Sequence, residues 1–265
     1  MAIIPQHYMN AVVAIGVPKI YPAGATIDWI ATGFIVGKPV SKREVIPYLV
    51  TNGHVLDGAR NVIVRFNNEI THCAQNVPLE LYNDSGSPIF TLHDGYELPE
   101  EKRIDIAVVR LNGTFMMEHH LEIGYFNLNS DLLSLEQMRN TGITEGTFIY
   151  SLGFPMGLVN STEKMPICRM GCIARATKAQ IMDRNSMLLD LQNFPGGSGS
   201  PIVSRPEFIS ITGTKSNKTS CLIGIVHGFL HFSDNTENTG IALANPAEYI
   251  VEATEKDLKK TQQQS

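Results

Sequence analysis

The sequence lacks a surplus of positive charge: 21 lysines and arginines stand against 26 aspartates and glutamates, a formal net charge of −5. A protein that tracks a phosphate backbone needs the opposite field, so nucleic acid is not an expected partner. Long apolar runs are missing too, and no stretch reaches the roughly 18 to 20 residues that a membrane-spanning helix needs. One short apolar run, 11–17, lies near the start, with no lysine or arginine before Lys19, so this segment does not read as a secretion signal. These absences predict a cytoplasmic protein without membrane attachment. Cysteine is sparse, at Cys73, Cys168, Cys172 and Cys221. In a reducing compartment these are expected as buried free thiols. Cys168 and Cys172, if on one strand, would stand about 13 Å apart and could not pair.

Helical periodicity is nearly absent before the last residues. Short apolar and β-branched runs recur instead, each fenced by Gly, Pro, Asn or Asp, and predict an all-β protein. The expected strands are 11–16, 29–36, 45–51, 61–66 and 104–111, then 147–152, 167–176, 186–191, 201–203, 221–229 and 240–242. The two groups suggest two barrels, over 1–125 and 126–265, separated by the more polar stretch 112–146. Asn245 and Pro246, followed by Tyr249, Ile250 and Ala253 on one stripe, predict a closing helix with Asn245 as its N-cap. The polar residues from Lys259 onward are expected to fray.

Three segments carry chemistry. In Phe194-Pro195-Gly196-Gly197-Ser198-Gly199-Ser200-Pro201, glycines crowd a serine just before a strand. Such a loop can turn N–H groups inward as an oxyanion hole, built from Gly196, Gly197 and Ser198 with the donors on Gly196 and Ser198. A plain glycine-rich turn is the competing reading. A serine hydroxyl is a weak nucleophile and needs a base. Tyr48-Leu49-Val50-Thr51-Asn52-Gly53-His54 supplies one at the end of an apolar strand. Arg103-Ile104-Asp105-Ile106-Ala107-Val108-Val109 then places a carboxylate at the head of another. A carboxylate beside so much apolar surface needs a partner, and a histidine N–H is a suitable one. His227 with His231, and His119 with His120, have no cysteine or carboxylate at zinc-like spacing, so neither a metal nor a cofactor is expected.

Together these segments resemble the trypsin-like serine peptidase superfamily, with His54, Asp105 and Ser198 in its chain order. Ala31-Thr32-Gly33 looks like the small-residue strand before the histidine. Leu152-Gly153-Phe154-Pro155-Met156-Gly157 is similar to a turn of HtrA-like and glutamyl-endopeptidase-like branches, and 222–229 looks like the strand that receives the substrate backbone. The resemblance implies two packed six-stranded antiparallel β-barrels with a C-terminal α-helix. It also implies a serine endopeptidase acting on protein or peptide through an acyl-enzyme, with a first specificity pocket bounded by Gln192, Asn193, His227, Gly228, Phe229 and Ala242. No acidic residue is expected at the base of that pocket, so cleavage after Lys or Arg should be poor. Gly197 stands where digestive relatives carry an aspartate, so activation by an inserted N-terminus is not expected. No PDZ domain is expected after the closing helix. The competing functions are a silent or latent binding protein that needs a partner, and a viral or mobile-element processing protease of the same fold.

Overall fold

The computed structural model describes residues 4–21, 24–41, 44–207, 213, 215–232 and 237–264. Its first half is an eight-stranded sheet. The strands are β1 (Val12–Tyr21), β2 (Gly24–Pro39), β3 (Val45–Thr51), β4 (Asn61–Asn67), β5 (Ala74–Glu80), β6 (Phe90–Leu92), β7 (Ala107–Arg110) and the short β8 (Phe126–Asn127). They run in the order β5-β4-β1-β2-β3-β7-β6, with β8 parallel to β2. The second half is a closed six-stranded barrel, β10-β11-β14-β13-β12-β9. Its strands are β9 (Phe148–Gly153), β10 (Ile167–Arg175), β11 (Met187–Asp190), β12 (Pro201–Ser204), β13 (Leu222–His231) and β14 (Asn238–Pro246).

Side chains alternate across a strand, so a run that is apolar at every position is buried on both faces. In β1, Val13 and Ile15 enter the core enclosed by the first sheet, while Val12 and Ala14 enter a second core shared with the barrel. β3 divides the same way, Leu49 facing inward and Tyr48 and Val50 facing the barrel. The shared core also takes Phe154, Leu222, Ile225 and Ile250, and this continuous apolar contact sets the two sheets side by side. A third core fills the barrel around Ile149, Leu189, Ile202 and Ala244.

The expectation of two closed barrels is met only in the second half. In the first sheet the edges β5 and β6 are joined by no ladder: one Tyr82–Pro88 bridge and one bond from the Ile89 N–H to the Leu81 carbonyl (2.9 Å) span the seam. Pro78 within β5 and Pro88 before β6 explain why, since proline cannot donate to a ladder and is tolerated at sheet edges.

Helices are more numerous than expected: α1 (Gln6–Ala11), α2 (Gly53–Leu56), α3 (Gly113–Glu118), α4 (Leu135–Thr141), α5 (Lys178–Arg184) and α6 (Glu248–Gln264). The closing helix is α6, and it continues to Gln264 instead of fraying from Lys259. Asn245 does not cap it, because β14 runs on through Pro246. All four cysteines are free, but only Cys221 is buried: Cys73 and Cys168 are exposed and Cys172 is half-buried. Cys168 lies on the outward face of β10, where alternation places it in solvent.

Candidate active site

The strand β3 brings the chain to Asn52, after which the single turn α2 presents His54. Its side chain is 44% exposed, whereas that of Asp105 is 6% exposed. Asp105 sits two residues before β7 and grips His54 twice: Oδ1 accepts the His54 backbone N–H at 3.1 Å, and Oδ2 lies 2.5 Å from Nδ1. Burial alone would push the Asp105 carboxyl up. The hydrogen bonds and charge of His54, with a smaller contribution from His227, outweigh it and hold Asp105 below the ordinary carboxylate range. An ionised carboxylate only accepts, so Nδ1 carries the proton of this bond.

Asp105 is fixed from behind by Asn52 and Asn245, neither of which the sequence places at the site. The Asn52 Nδ2 donates to the Asp105 carbonyl (2.7 Å), and the Asp105 N–H donates to the Asn245 Oδ1 (2.9 Å). Asn245 Nδ2 donates in turn to Ser186 Oγ (3.3 Å), which lies 2.8 Å from His227 Nε2. Asn245, expected as a helix cap, therefore ties Asp105 of the first sheet to the barrel.

Ser198 lies in the loop before β12. Hydrogen-bond accounting along this loop shows an alternation. The N–H groups of Gly197, Gly199 and Ser200 are taken by the carbonyls of Phe194 (2.8 Å), Val226 (2.9 Å) and Gly197 (3.1 Å). Those of Gly196 and Ser198 have no protein acceptor among the described residues. Gly197, expected as part of the oxyanion hole, spends its own N–H on the turn. Gly196 and Gly199 have φ of +85° and +83°, a region that glycine alone enters without strain. A Cβ on Gly199 would also stand 2.0 Å from the Thr32 carbonyl oxygen.

The loop meets the first sheet at Thr32 of β2, whose N–H donates to the Ser198 carbonyl (2.9 Å), while the Thr32 carbonyl accepts from Thr51 Oγ1 (2.8 Å). Thr51 is three residues from His54 on the same chain segment, so the Ser198 loop and the His54 turn share one anchor. No hydrogen bond joins the Ser198 hydroxyl to His54 among the described residues; Asp105 is the partner of both His54 bonds.

A family model described as "Trypsin-like peptidase domain" matches residues 31–207, a span that contains His54, Asp105 and Ser198. The chain belongs to the trypsin-like peptidase family. Among solved structures, "HtrA-type protease AlgW with decapeptide" aligns with a TM-score of 0.53 at 18% identity, over 96% of this chain and 66% of that one. "HtrA-type protease AlgW with tripeptide" aligns with a TM-score of 0.50 at 19% identity, over 94% of this chain and 60% of that one. At such identities the likeness establishes the fold, and the chain spans about two thirds or less of the length of those structures. A search of curated proteins gives no match.

Within this trypsin-like frame the expected pocket residues divide. Gln192 and Asn193 are held by their carbonyls, which accept from the Arg169 guanidinium and the Asn238 side-chain amide. β13 shifts register between Val226 and Gly228, so His227 is a bulge residue whose side chain is re-aimed, here onto Ser186. Burial pushes the His227 imidazole down to about 4, so it is neutral at pH 7. Gly228 and Phe229 follow on a stretch of β13 that pairs with β14, beyond the end of its ladder with β12 at Ile225. Ala242 is fully buried in the barrel core beside Leu189 and does not line an open surface.

Proposed function

We propose that this protein is a serine endopeptidase in which Ser198 is the nucleophile, His54 the general base and Asp105 the residue that orients and charges it. The observation that carries the reading is a His54 whose Nδ1 is hydrogen-bonded to the buried Asp105 carboxylate, together with a glycine-flanked serine loop in which the N–H groups of Gly196 and Ser198 have no protein acceptor among the described residues. Ser198 Oγ bonds to the scissile carbonyl carbon as its proton passes to His54 Nε2, and the new oxyanion is received by the two N–H groups. Collapse of the intermediate breaks the C–N bond while His54 returns its proton to the leaving amine. Water then clears the acyl-enzyme by the same steps in reverse.

Peptide is the substrate class we assign. The stretch of β13 from His227 to Phe229 lies beyond its ladder with β12, which ends at Ile225, and would offer that side to a substrate backbone, and the two HtrA-type structures that share the fold carry a decapeptide and a tripeptide. Casein and a whole-proteome extract treated with wild-type protein should yield new N-termini that Ser198→Ala and His54→Ala do not produce. Equal cleavage by Ser198→Ala would remove the assignment. The unmade Ser198–His54 bond favours one second reading, a latent enzyme that closes this link only with a partner or substrate bound. It predicts fluorophosphonate labelling of Ser198 that is slow for the isolated chain and accelerated by added peptide.

A further inference from the structure

Four consecutive peptide units make up the nucleophile loop, and each has an N–H and a carbonyl pointing opposite ways because the peptide is planar and trans. In the Pro195–Gly196 and Gly197–Ser198 units, the carbonyls are held by the N–H groups of Met156 (2.5 Å) and Ser200 (3.1 Å), and the opposite N–H ends are open. The Gly196–Gly197 and Ser198–Gly199 units between and after them are held at both ends. Their N–H ends go to Phe194 and Val226. Their carbonyl ends both go to one residue of the other sheet, Thr32: Oγ1 donates to the Gly196 carbonyl (2.8 Å), and the backbone N–H donates to that of Ser198.

Thr32 is fully buried, and its Oγ1 also accepts the Phe154 N–H (2.9 Å), so its single O–H is committed to the Gly196 carbonyl. We propose that Thr32 is a positioning residue for the oxyanion hole. Its hydroxyl keeps the Gly196 carbonyl turned out of the cleft, and this sets the peptide planes on either side with their N–H groups facing in. Glycines at 196 and 197 leave this plane little resistance of its own to a flip, which is why an external clamp matters. The clamp crosses between the sheets, so the hole is assembled by their packing and needs no inserted N-terminus. The inference rests on the reading of Ser198 as nucleophile given above.

The test uses Thr32→Val, which keeps the shape and removes the hydroxyl, Thr32→Ser, which keeps the hydroxyl, and Ser198→Ala as control. Second-order labelling rates with a fluorophosphonate probe are measured beside kcat and KM on a casein-derived peptide. Thr32→Val should slow labelling and lower kcat by about 10- to 100-fold, with KM little changed, because only the transition state uses the hole. Thr32→Ser should return both to within a few-fold of wild type, a rescue that a packing role for the threonine methyl would not give. Labelling of folded Thr32→Val at the wild-type rate, or of Thr32→Ser as slow as Thr32→Val, overturns the proposal. If Thr32→Val fails to fold, as judged by near-UV circular dichroism, Thr32→Ser decides: near-wild-type rates support the clamp, and a loss overturns it. A wild-type protein no more reactive than Ser198→Ala would instead overturn the nucleophile assignment, and with it this inference.

Discussion

At the residue scale, Lys164 is a lysine whose side chain is buried. It is 2% exposed, and its ammonium donates to the Asn10 carbonyl (2.5 Å). Burial pushes it down to about 8, against the opposing pull of Glu122, which is itself held by the side-chain amides of Asn10 and Asn67. The native state therefore binds fewer protons than the unfolded chain between about 8 and the ordinary lysine value near 10.4, so stability should rise with pH across that window. Two units correspond to about 3 kcal/mol at most. Urea unfolding of wild type and Lys164→Met at pH 7.5, 9 and 10.4 should show the difference between them shifting in favour of wild type as pH rises. A pH-independent difference would mean that the ammonium is solvated. Nothing in the sequence around Lys164 marks it, because its polar partners Asn10 and Asn67 lie far away in the chain. His54, Asp105 and Ser198 could be singled out for the opposite reason: each stands in a local pattern, a strand end or a glycine turn, that is read from neighbouring residues alone.

At the element scale, α6 returns from the barrel to brace the first sheet. Asp257 accepts from Tyr48 Oη (3.0 Å), Thr91 Oγ1 (3.0 Å) and the Arg110 guanidinium (2.8 Å to Nη2), so one carboxylate ties β3, β6 and β7 to the helix. Asp257→Ala leaves three donors without a partner and should cost about 3 kcal/mol in urea unfolding. A loss under about 1 kcal/mol would show that water replaces the carboxylate. The existence of α6 was readable from its stripe of Tyr249, Ile250 and Ala253, but its start was not. Asn245 and Pro246 look like a cap and first turn, yet the Asp105 N–H recruits the Asn245 side chain, and Pro246 pairs with Gly224. The strand β5 escaped notice because Pro78 argues against a strand, an argument that fails at an edge. α4 carried a readable signal, the Ser134 and Gln137 capping box, on a helix of only seven residues.

At the scale of the whole molecule, two sheets pack through a shared core, and the residues of the proposed triad are divided between them, His54 and Asp105 on one and Ser198 on the other. The mostly β class and the closed second barrel follow from alternation and turn residues. The open seam of the first sheet does not, since it depends on which strands become edges. The ties between the two sheets at this site are likewise long-range, carried by Thr32, whose hydroxyl reaches Gly196 of the second half, and by Asn245, whose side chain reaches Asp105 of the first. That Ser198, His54 and Asp105 act together is the central proposal, and covalent chemistry tests it most directly. After treatment with a fluorophosphonate, tandem mass spectrometry of the digested protein should place one adduct on Ser198, absent from His54→Ala treated in parallel. An adduct on another residue, or labelling of Ser198 that does not need His54, would contradict the account.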